Sequence, residues 1–444
     1  MARDRRISRR RFLRSAAGAG VGAVAAPTIV PSCVLAAAER RGANDRINIG
    51  YIGVGRRARE LMKLPKDAQI VAVSDVNRKR LKEMTSQPRG KDWRTYQDYR
   101  EMLAADDIDA VIVASPDHWH ALHVIHACRA KKDVYIEKPM SLTIREGRAM
   151  VEAAREHGRI VQVGSQQRST PENRFACELV RNGRIGQVKK VHGANYPSPW
   201  ECPLPAQPTP DYIDWDMWCG QTEPRPYHEE LYLPRVRGHE AGWISYRPYS
   251  GGEMTGWGAH GLDQIQWALG MDDSGPVAVE PLLDRVPKDD GVHKGPRCEV
   301  QYTFRDGIPV VLDDKGSGGG GFFEGEQGTI AISRGEYKVS GKVDTGPIPD
   351  GGVHLYDSRE NTLSSRSAGD TEMHLGNWLH CVRTRQRPAS DIEIGHRATV
   401  LCHLGNIARW TRRRLAWDPD KERFLDDDDA NTYLERPMRA PWVI

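Results

Sequence analysis

Between residues 47 and 164, short apolar runs alternate with amphipathic stretches. The runs at 47–52, 70–74, 110–114, 134–136 and 160–163 predict strands. The segments around 58–64, 78–85, 120–130 and 144–157 carry helical spacing. Near-continuous apolar strands alternating with helices predict a parallel, doubly wound α/β sheet covered on both faces, with right-handed crossovers. After residue 166 the pattern changes. Residues 196–237 are rich in Pro, Trp and Tyr and predict a long ordered loop region. Residues 277–345 alternate apolar and polar positions between Gly turns, which predicts largely antiparallel sheet. Helices are predicted at 373–383 and 398–413, and an extended arm at 436–444. These patterns divide the chain into a first domain at 44–166 and an α+β domain with an open sheet at 167–444.

The amino terminus reads differently. Ser8-Arg9-Arg10-Arg11-Phe12-Leu13 is a twin-arginine motif, followed by a Gly/Ala-rich apolar stretch at 16–30 and small residues at 36–38 suited to cleavage. The stretch is too short and too small in side chain to span a membrane. Residues 1–38 are therefore read as a signal peptide engaging the twin-arginine export machinery, with a periplasmic destination and no membrane span after processing. Cys33 offers a lipidation site, but Pro31 before Ser32 argues against it. The full chain is +4. Its first 38 residues hold seven Arg against Asp4, so the remainder is about −2 and no basic stripe suggests nucleic acid. Seven of the eight Cys lie beyond residue 38, scattered and without CxxC spacing, which indicates neither zinc nor a disulfide framework.

Gly53-Val54-Gly55-Arg56-Arg57-Ala58 fits G-x-G-x-x-A where the first strand meets its helix. The first Gly permits a tight turn, the second lets backbone approach a pyrophosphate, and Ala58 allows close helix–strand packing. Asp75, at the end of the next strand, can accept both ribose hydroxyls. The first domain is thus read as an NAD-binding Rossmann unit. Arg78 nearby leaves NADP open.

Two further segments, Ser115-Pro116-Asp117-His118-Trp119-His120 and Glu137-Lys138-Pro139, sit at carboxyl ends of strands, where such sheets place ligands. With them the chain resembles the Gfo/Idh/MocA oxidoreductases, and its Trp215–Gly220 segment is similar to that of an exported branch of the family. The resemblance implies that Ser115, Pro116 and His120 line the nicotinamide end, that Glu137 contacts its ribose, and that Lys138, aimed by a cis bond to Pro139, points at the substrate hydroxyl. It also implies a homo-oligomer built on the open sheet face. His260 matches the family's catalytic histidine. Gly256 stands where the family places an Asp, and Gly261 where the exported branch places a second His, which widens the expected pocket. Val54, Arg56 and Gln166 border the cofactor in this reading. Arg168, Glu253, Trp257 and Asp263 border the substrate.

Two other features stay outside the site. His118, His120, His123 and His126 are spaced like metal ligands, but the helix must also pack on the sheet, so no metal is assigned. His120 goes to the cofactor and the others to the helix surface. Residues 316–321 lack the G-K-[ST] of a P-loop and are read as a flexible turn. The function expected is an exported NAD(P)-dependent oxidoreductase that transfers hydride from a sugar, polyol or glycoside while retaining its cofactor. The alternatives are a redox-neutral NAD-dependent glycosidase or lyase and a non-catalytic sugar-binding protein.

Overall fold

The computed structural model describes residues 45–232, 242–286 and 295–444. The signal-peptide segment and Cys33 lie outside the described residues. Residues 47–444 form one unit. Its first layer is a six-stranded sheet of β1 (Ile47–Ile52), β2 (Ala68–Ser74), β3 (Arg94–Tyr96), β4 (Ala110–Val113), β5 (Asp133–Ile136) and β6 (Val161–Val163). The order β3-β2-β1-β4-β5-β6 is parallel throughout, with the topological switch between β1 and β4. Strands β4, β5 and β6 are buried along their whole length, as β-branched and apolar runs covered on both faces must be. β3 escapes the sequence reading because Arg94-Thr95-Tyr96 is a largely exposed edge with no apolar run.

Helix starts are written locally. Asn77 caps the helix Arg78–Thr85 by accepting from the Lys79 and Arg80 amides. Thr143 caps Ile144–Glu156 by accepting from the Glu146 amide, and the Glu146 carboxylate accepts from the Leu142 amide, one residue before the cap. The helix Pro171–Arg181, which opens on proline and leads out of the first domain, is not among the predicted elements.

The second layer is a nine-stranded sheet. Its strands are β7 (Val188–Ala194), β8 (Ala278–Leu282), β9 (Glu299–Thr303), β10 (Pro309–Asp313), β11 (Gly321–Gly325), β12 (Gly328–Ser333), β13 (Glu336–Gly341), β14 (Leu415–Asp418) and β15 (Arg423–Phe424). Their order is β13-β12-β11-β7-β10-β9-β8-β14-β15. Only β7 and β10 pair in parallel; the other pairings are antiparallel. The helices Pro171–Arg181, Gly258–Leu269 and Ile392–Thr411 cover one face and share a core with Val191, Tyr302 and Phe323.

The glycine run at 316–321 is close-packed, contrary to the flexible turn expected. A Cβ on Gly316 would stand 1.9 Å from the Gly193 carbonyl carbon, and one on Gly320 would stand 2.0 Å from the Ile332 carbonyl oxygen. Glycine is required there so that backbone can lie against backbone. Among the described residues no helix is long and apolar enough to cross a membrane.

Candidate active site

A cavity of about 330 Å³ opens at the carboxyl ends of β1, β2, β4 and β5. Its floor is the turn after β1. Gly53 has φ +81°, and a Cβ there would lie 3.0 Å from the Ala114 carbonyl and the Ser115 backbone, so only glycine fits. Gly55 differs. A Cβ on it would meet nothing nearer than Arg80 Nη1 at 3.7 Å, which leaves its backbone open to the cavity for a phosphate. The Val54 amide donates to Asp75 Oδ2 at 2.9 Å and the Asn77 amide to Oδ1 at 2.9 Å, which fixes the carboxylate at the cavity wall. These features fit a dinucleotide: an open glycine turn, and beyond it a carboxylate held for ribose hydroxyls. Arg78 donates to the Asp211 carbonyl. The arginine that reaches the cavity is Arg80, 3.8 Å from Asp75 and stacked on Tyr232.

Lys138 stands just after β5, joined to Pro139 by a cis peptide, and lines the cavity. Its Nζ donates to the Gly256 carbonyl at 2.9 Å. Burial pushes the ammonium below its ordinary pKa, against the opposing pull of Glu137, Asp117 and Glu253. Glu253, Gly256 and Trp257 line the same space. A Cβ on Gly256 would lie 3.4 Å from Glu253 Oε2, so the Glu253 carboxylate already occupies the room beside that glycine.

Ser115, Pro116 and Arg56 line the cavity, whereas His120 does not. Its Nδ1 faces the Pro139 carbonyl at 2.8 Å and its Nε2 the Ser115 carbonyl at 2.9 Å, so it ties the β4 and β5 loops together from behind. The histidine at the cavity is His123, bonded through Nδ1 to Ser115 Oγ at 3.0 Å and stacked on Trp119. His118 and His123 are buried, not on the helix surface, because the aromatic loop with Trp218 and Tyr249 covers His118. Among the described residues no group of three or more His, Cys, Asp or Glu could hold a metal.

Glu137 and Gln166 form a layer behind the cavity. Arg57 Nε meets Glu137 Oε1 at 2.9 Å, and Gln166 Nε2 donates to Glu137 and to Tyr135. The glycine turn is thereby latched to the end of β5. His260 is buried one turn beyond Gly256 and is absent from the cavity wall; burial pushes it well below its ordinary pKa, with Lys138 adding to the effect. Its Nδ1 has no hydrogen-bond partner among the described residues.

Arg168 and Asp263, expected at the substrate, are instead bonded to each other. Arg168 Nε meets Asp263 Oδ1 at 2.8 Å, while its Nη atoms take Asp272 at 2.7 and 3.0 Å and its plane lies over Trp267. A buried guanidinium must have all its charge answered nearby, and these two carboxylates do so away from the cavity. Gly261 does not widen the pocket either. A Cβ there would meet the Gly320 carbonyl at 3.0 Å, because the close-packed glycine run fills that space.

Sequence reasoning missed Arg57, Tyr99, His123, Tyr232 and Trp243 as wall residues. Arg57 and His123 lie inside or beside the motifs already singled out. Tyr232 and Trp243 come from the aromatic segment after residue 196, where no periodicity marks which rings turn inward.

Residues 47–165 match the family model for the oxidoreductase family's NAD-binding Rossmann fold, and residues 179–444 that for its C-terminal alpha/beta domain. The chain is 36% identical over 159 residues to inositol 2-dehydrogenase of Acidothermus cellulolyticus, covering 34% of this chain and 46% of that protein. It is 35% identical over 172 residues to myo-inositol 2-dehydrogenase of Thermotoga maritima, covering 38% and 48%. The chain thus spans about half the length of the curated relatives it matches. Among solved structures, the WlbA dehydrogenase from Bordetella pertussis, in complex with NADH and UDP-GlcNAcA, aligns with TM-score 0.58 at 19% identity over 84% of this chain and 99% of that one. The aldose-aldose oxidoreductase from Caulobacter crescentus, complexed with glycerol, gives the same values. At such identity these two likenesses bear on the fold.

Proposed function

The chain belongs to the Gfo/Idh/MocA oxidoreductase family, and from that membership we propose that it oxidises a sugar, polyol or glycoside with NAD, exported with the cofactor already bound. The observation that carries this reading is Lys138: half-buried, held against the Gly256 carbonyl and facing the cavity into which the glycine turn opens. Bound nicotinamide supplies a hydride acceptor. The residues supply the rest. Gly53–Arg57 and Asp75 bind the pyrophosphate and ribose, and Asp75 favours NAD by repelling a 2′-phosphate. The amine of Lys138, made less basic by burial, accepts the substrate hydroxyl proton. Glu253 supplies the carboxylate beside Gly256 and orients a second hydroxyl, and neutral His260 acts from the layer behind. Trp243 and Trp257 flank a sugar ring at the mouth.

Relatives named as inositol dehydrogenases support a polyol, and the twin-arginine motif supports export. The test begins with mass spectrometry of nucleotide released from denatured protein, followed by turnover of a polyol and glycoside panel by the cofactor-loaded parent and K138M. NAD release, with hydride transfer lost by about 10²-fold or more in K138M, is expected. Undiminished turnover in K138M removes the lysine mechanism. Absence of both nucleotide and turnover favours a binding protein, and acceptor-independent glycoside cleavage favours the redox-neutral cycle.

A further inference from the structure

A dinucleotide in the crevice at the carboxyl ends of a doubly wound sheet leaves directly into solvent unless something covers it. Here residues 211–220 lie across it. At one edge they join the chain just after β2. The Arg78 amide donates to the Tyr212 carbonyl at 2.9 Å, the Asp214 amide donates to the Val76 carbonyl at 3.0 Å, and Ile213 pairs antiparallel with Asn77. At the other edge they join the chain after β4. The Trp218 carbonyl accepts from Trp119 Nε1 at 2.9 Å, and His118 Nε2 lies 2.8 Å from the same oxygen. In the sheet, β1 lies between β2 and β4. The segment therefore crosses the carboxyl end of β1, where the Gly53–Gly55 turn stands. Met217 and Trp218 face the cavity. Tyr232 joins them, its ring 4.4 Å from the Arg80 guanidinium and its hydroxyl accepting from Asn77 Nδ2.

The segment is stiff and tightly seated. Trp215 stacks on Trp218 at 4.4 Å, and Trp218 shares a small core with Leu231, Tyr246 and Tyr249, against which Val76 packs. Gly220 has φ +57°, and a Cβ there would stand 2.3 Å from the Trp119 ring, so backbone lies directly on a residue of the cavity wall.

The C-terminal arm grips this segment without reaching the cavity. The carbonyls at the end of the Trp215–Cys219 turn need donors, and Arg439 supplies them. Its Nε donates to the Gly220 carbonyl at 2.6 Å and its Nη2 to the Asp216 carbonyl at 2.9 Å, while its amide donates to the Gln221 carbonyl at 3.1 Å. Arg436 donates to Thr222 Oγ1 at 2.8 Å and to the His118 carbonyl at 3.0 Å, and is anchored at 2.7 Å by Glu146 Oε1 on the helix Ile144–Glu156. Trp442 meets Trp119 edge-on, with ring centroids 4.9 Å apart.

We propose that residues 211–220 and Tyr232 are a strap that closes the dinucleotide into its site, and that Arg436, Arg439 and Trp442 are positioning residues that hold the strap shut. The proposal rests on the reading of this cavity as the NAD site. Release of the cofactor waits for the strap to lift from Trp119 and Val76, so the rate follows the small fraction of molecules in which it is open. Entry waits for the same opening. Loosening the arm therefore speeds binding and release together and leaves affinity nearly unchanged, because the arm touches no cofactor. Removing a strap side chain that faces the cavity weakens affinity itself.

The test uses the full chain and stopped-flow fluorescence of NADH, read on binding and on displacement by excess NAD. R439A and W442A are each expected to bind and release NADH about tenfold or more faster than the parent, with affinity kept within about threefold. Y232A is expected to bind NADH more weakly. Amide exchange across 211–220 is expected to rise in R439A. R385M breaks the Arg385–Asp133 pair at the opposite end of β5 from Lys138, and touches neither strap nor arm. It is expected to lose stability and keep parental rates. Parental rates in both R439A and W442A overturn the proposal. So does a faster release matched by an equal loss of affinity, which marks lost contact, or an equal acceleration in R385M, which marks general loosening. Truncation after Glu435 should exceed either single variant, and the two single variants decide if the truncated chain fails to fold. A parent that binds no NADH overturns the cofactor reading and the strap with it. A parent that shows arm-dependent exchange but oxidises no polyol sinks the oxidoreductase reading and leaves the strap standing.

Discussion

The assignment of Arg168 to the interior can be tested by removing its charge. In R168L, Asp263 keeps its place at 1% side-chain exposure but loses the Nε contacts at 2.8 and 3.0 Å. Asp272, at 24%, can turn toward water, so the cost falls mainly on Asp263. Breaking a buried pair from one side costs about 3–5 kcal/mol, because the remaining charge must be neutralised or left unanswered. In a domain of this size each kcal/mol moves Tm by about 2–4 °C, so melting should fall by roughly 6–20 °C. R168L/D263L should recover most of that loss, since two apolar side chains can replace a buried pair at little cost. The assay is thermal melting of the cofactor-loaded protein beside Michaelis kinetics on a confirmed substrate. A variant that melts like the parent but binds substrate weakly would return Arg168 to the substrate site and refute the structural reading.

Two further outcomes are expected. D75N keeps the shape of Asp75 but loses charge-assisted acceptance from ribose hydroxyls, a contribution of about 1.5–3 kcal/mol. NADH affinity by fluorescence titration should fall about 10- to 100-fold while NADPH weakens less, and an unchanged NADH affinity removes Asp75 from the cofactor site. Arg148 joins Glu393 at 2.8 Å and Glu422 at 2.6 Å. Burial pushes the Glu393 carboxyl up, but Arg148 overrides it and holds it at about 2; Glu422 is likewise driven well down against its burial by His396 and Arg148. Both pKa values lie below their unfolded values. The stability they confer is therefore present above about pH 4.5 and lost as pH falls toward about 2. Acid-unfolding curves should show this loss and R148M should flatten it; a parent curve level through that window would contradict the linkage.

Much of the first sheet was legible because buried parallel strands must be apolar, and β1, β4, β5 and β6 announce themselves. The cofactor turn was legible because Gly53 and Asp75 answer to local backbone geometry. Tertiary choices were not. Four histidines at similar spacing offer no sign that His120 faces two carbonyls while His123 faces the cavity. That outcome depends on how the helix packs against a loop almost a hundred residues away. Arg168 and Asp263 read as site residues because charge beside a catalytic motif suggests substrate, yet Asp272 and Trp267 complete an interior network instead. Periodicity cannot report a pairing across such distances.

The two glycines that break the family pattern have opposite consequences. At Gly261 the missing side chain is replaced by the Gly320 carbonyl, so the vacancy is filled by backbone and the cavity gains nothing. At Gly256 the neighbouring atoms are the Glu253 carboxylate and Ile244, and the position lines the cavity. A carboxylate therefore stands beside the place marked for an acid, offered from one turn earlier in the chain. Just before it in the same segment, the Ser250 hydroxyl donates to Asp117 Oδ2 at 2.7 Å and accepts from the Gly252 amide at 3.1 Å. The carboxylate at this part of the cavity is thus set by where the segment 250–256 places Glu253, not by the residue that stands at position 256.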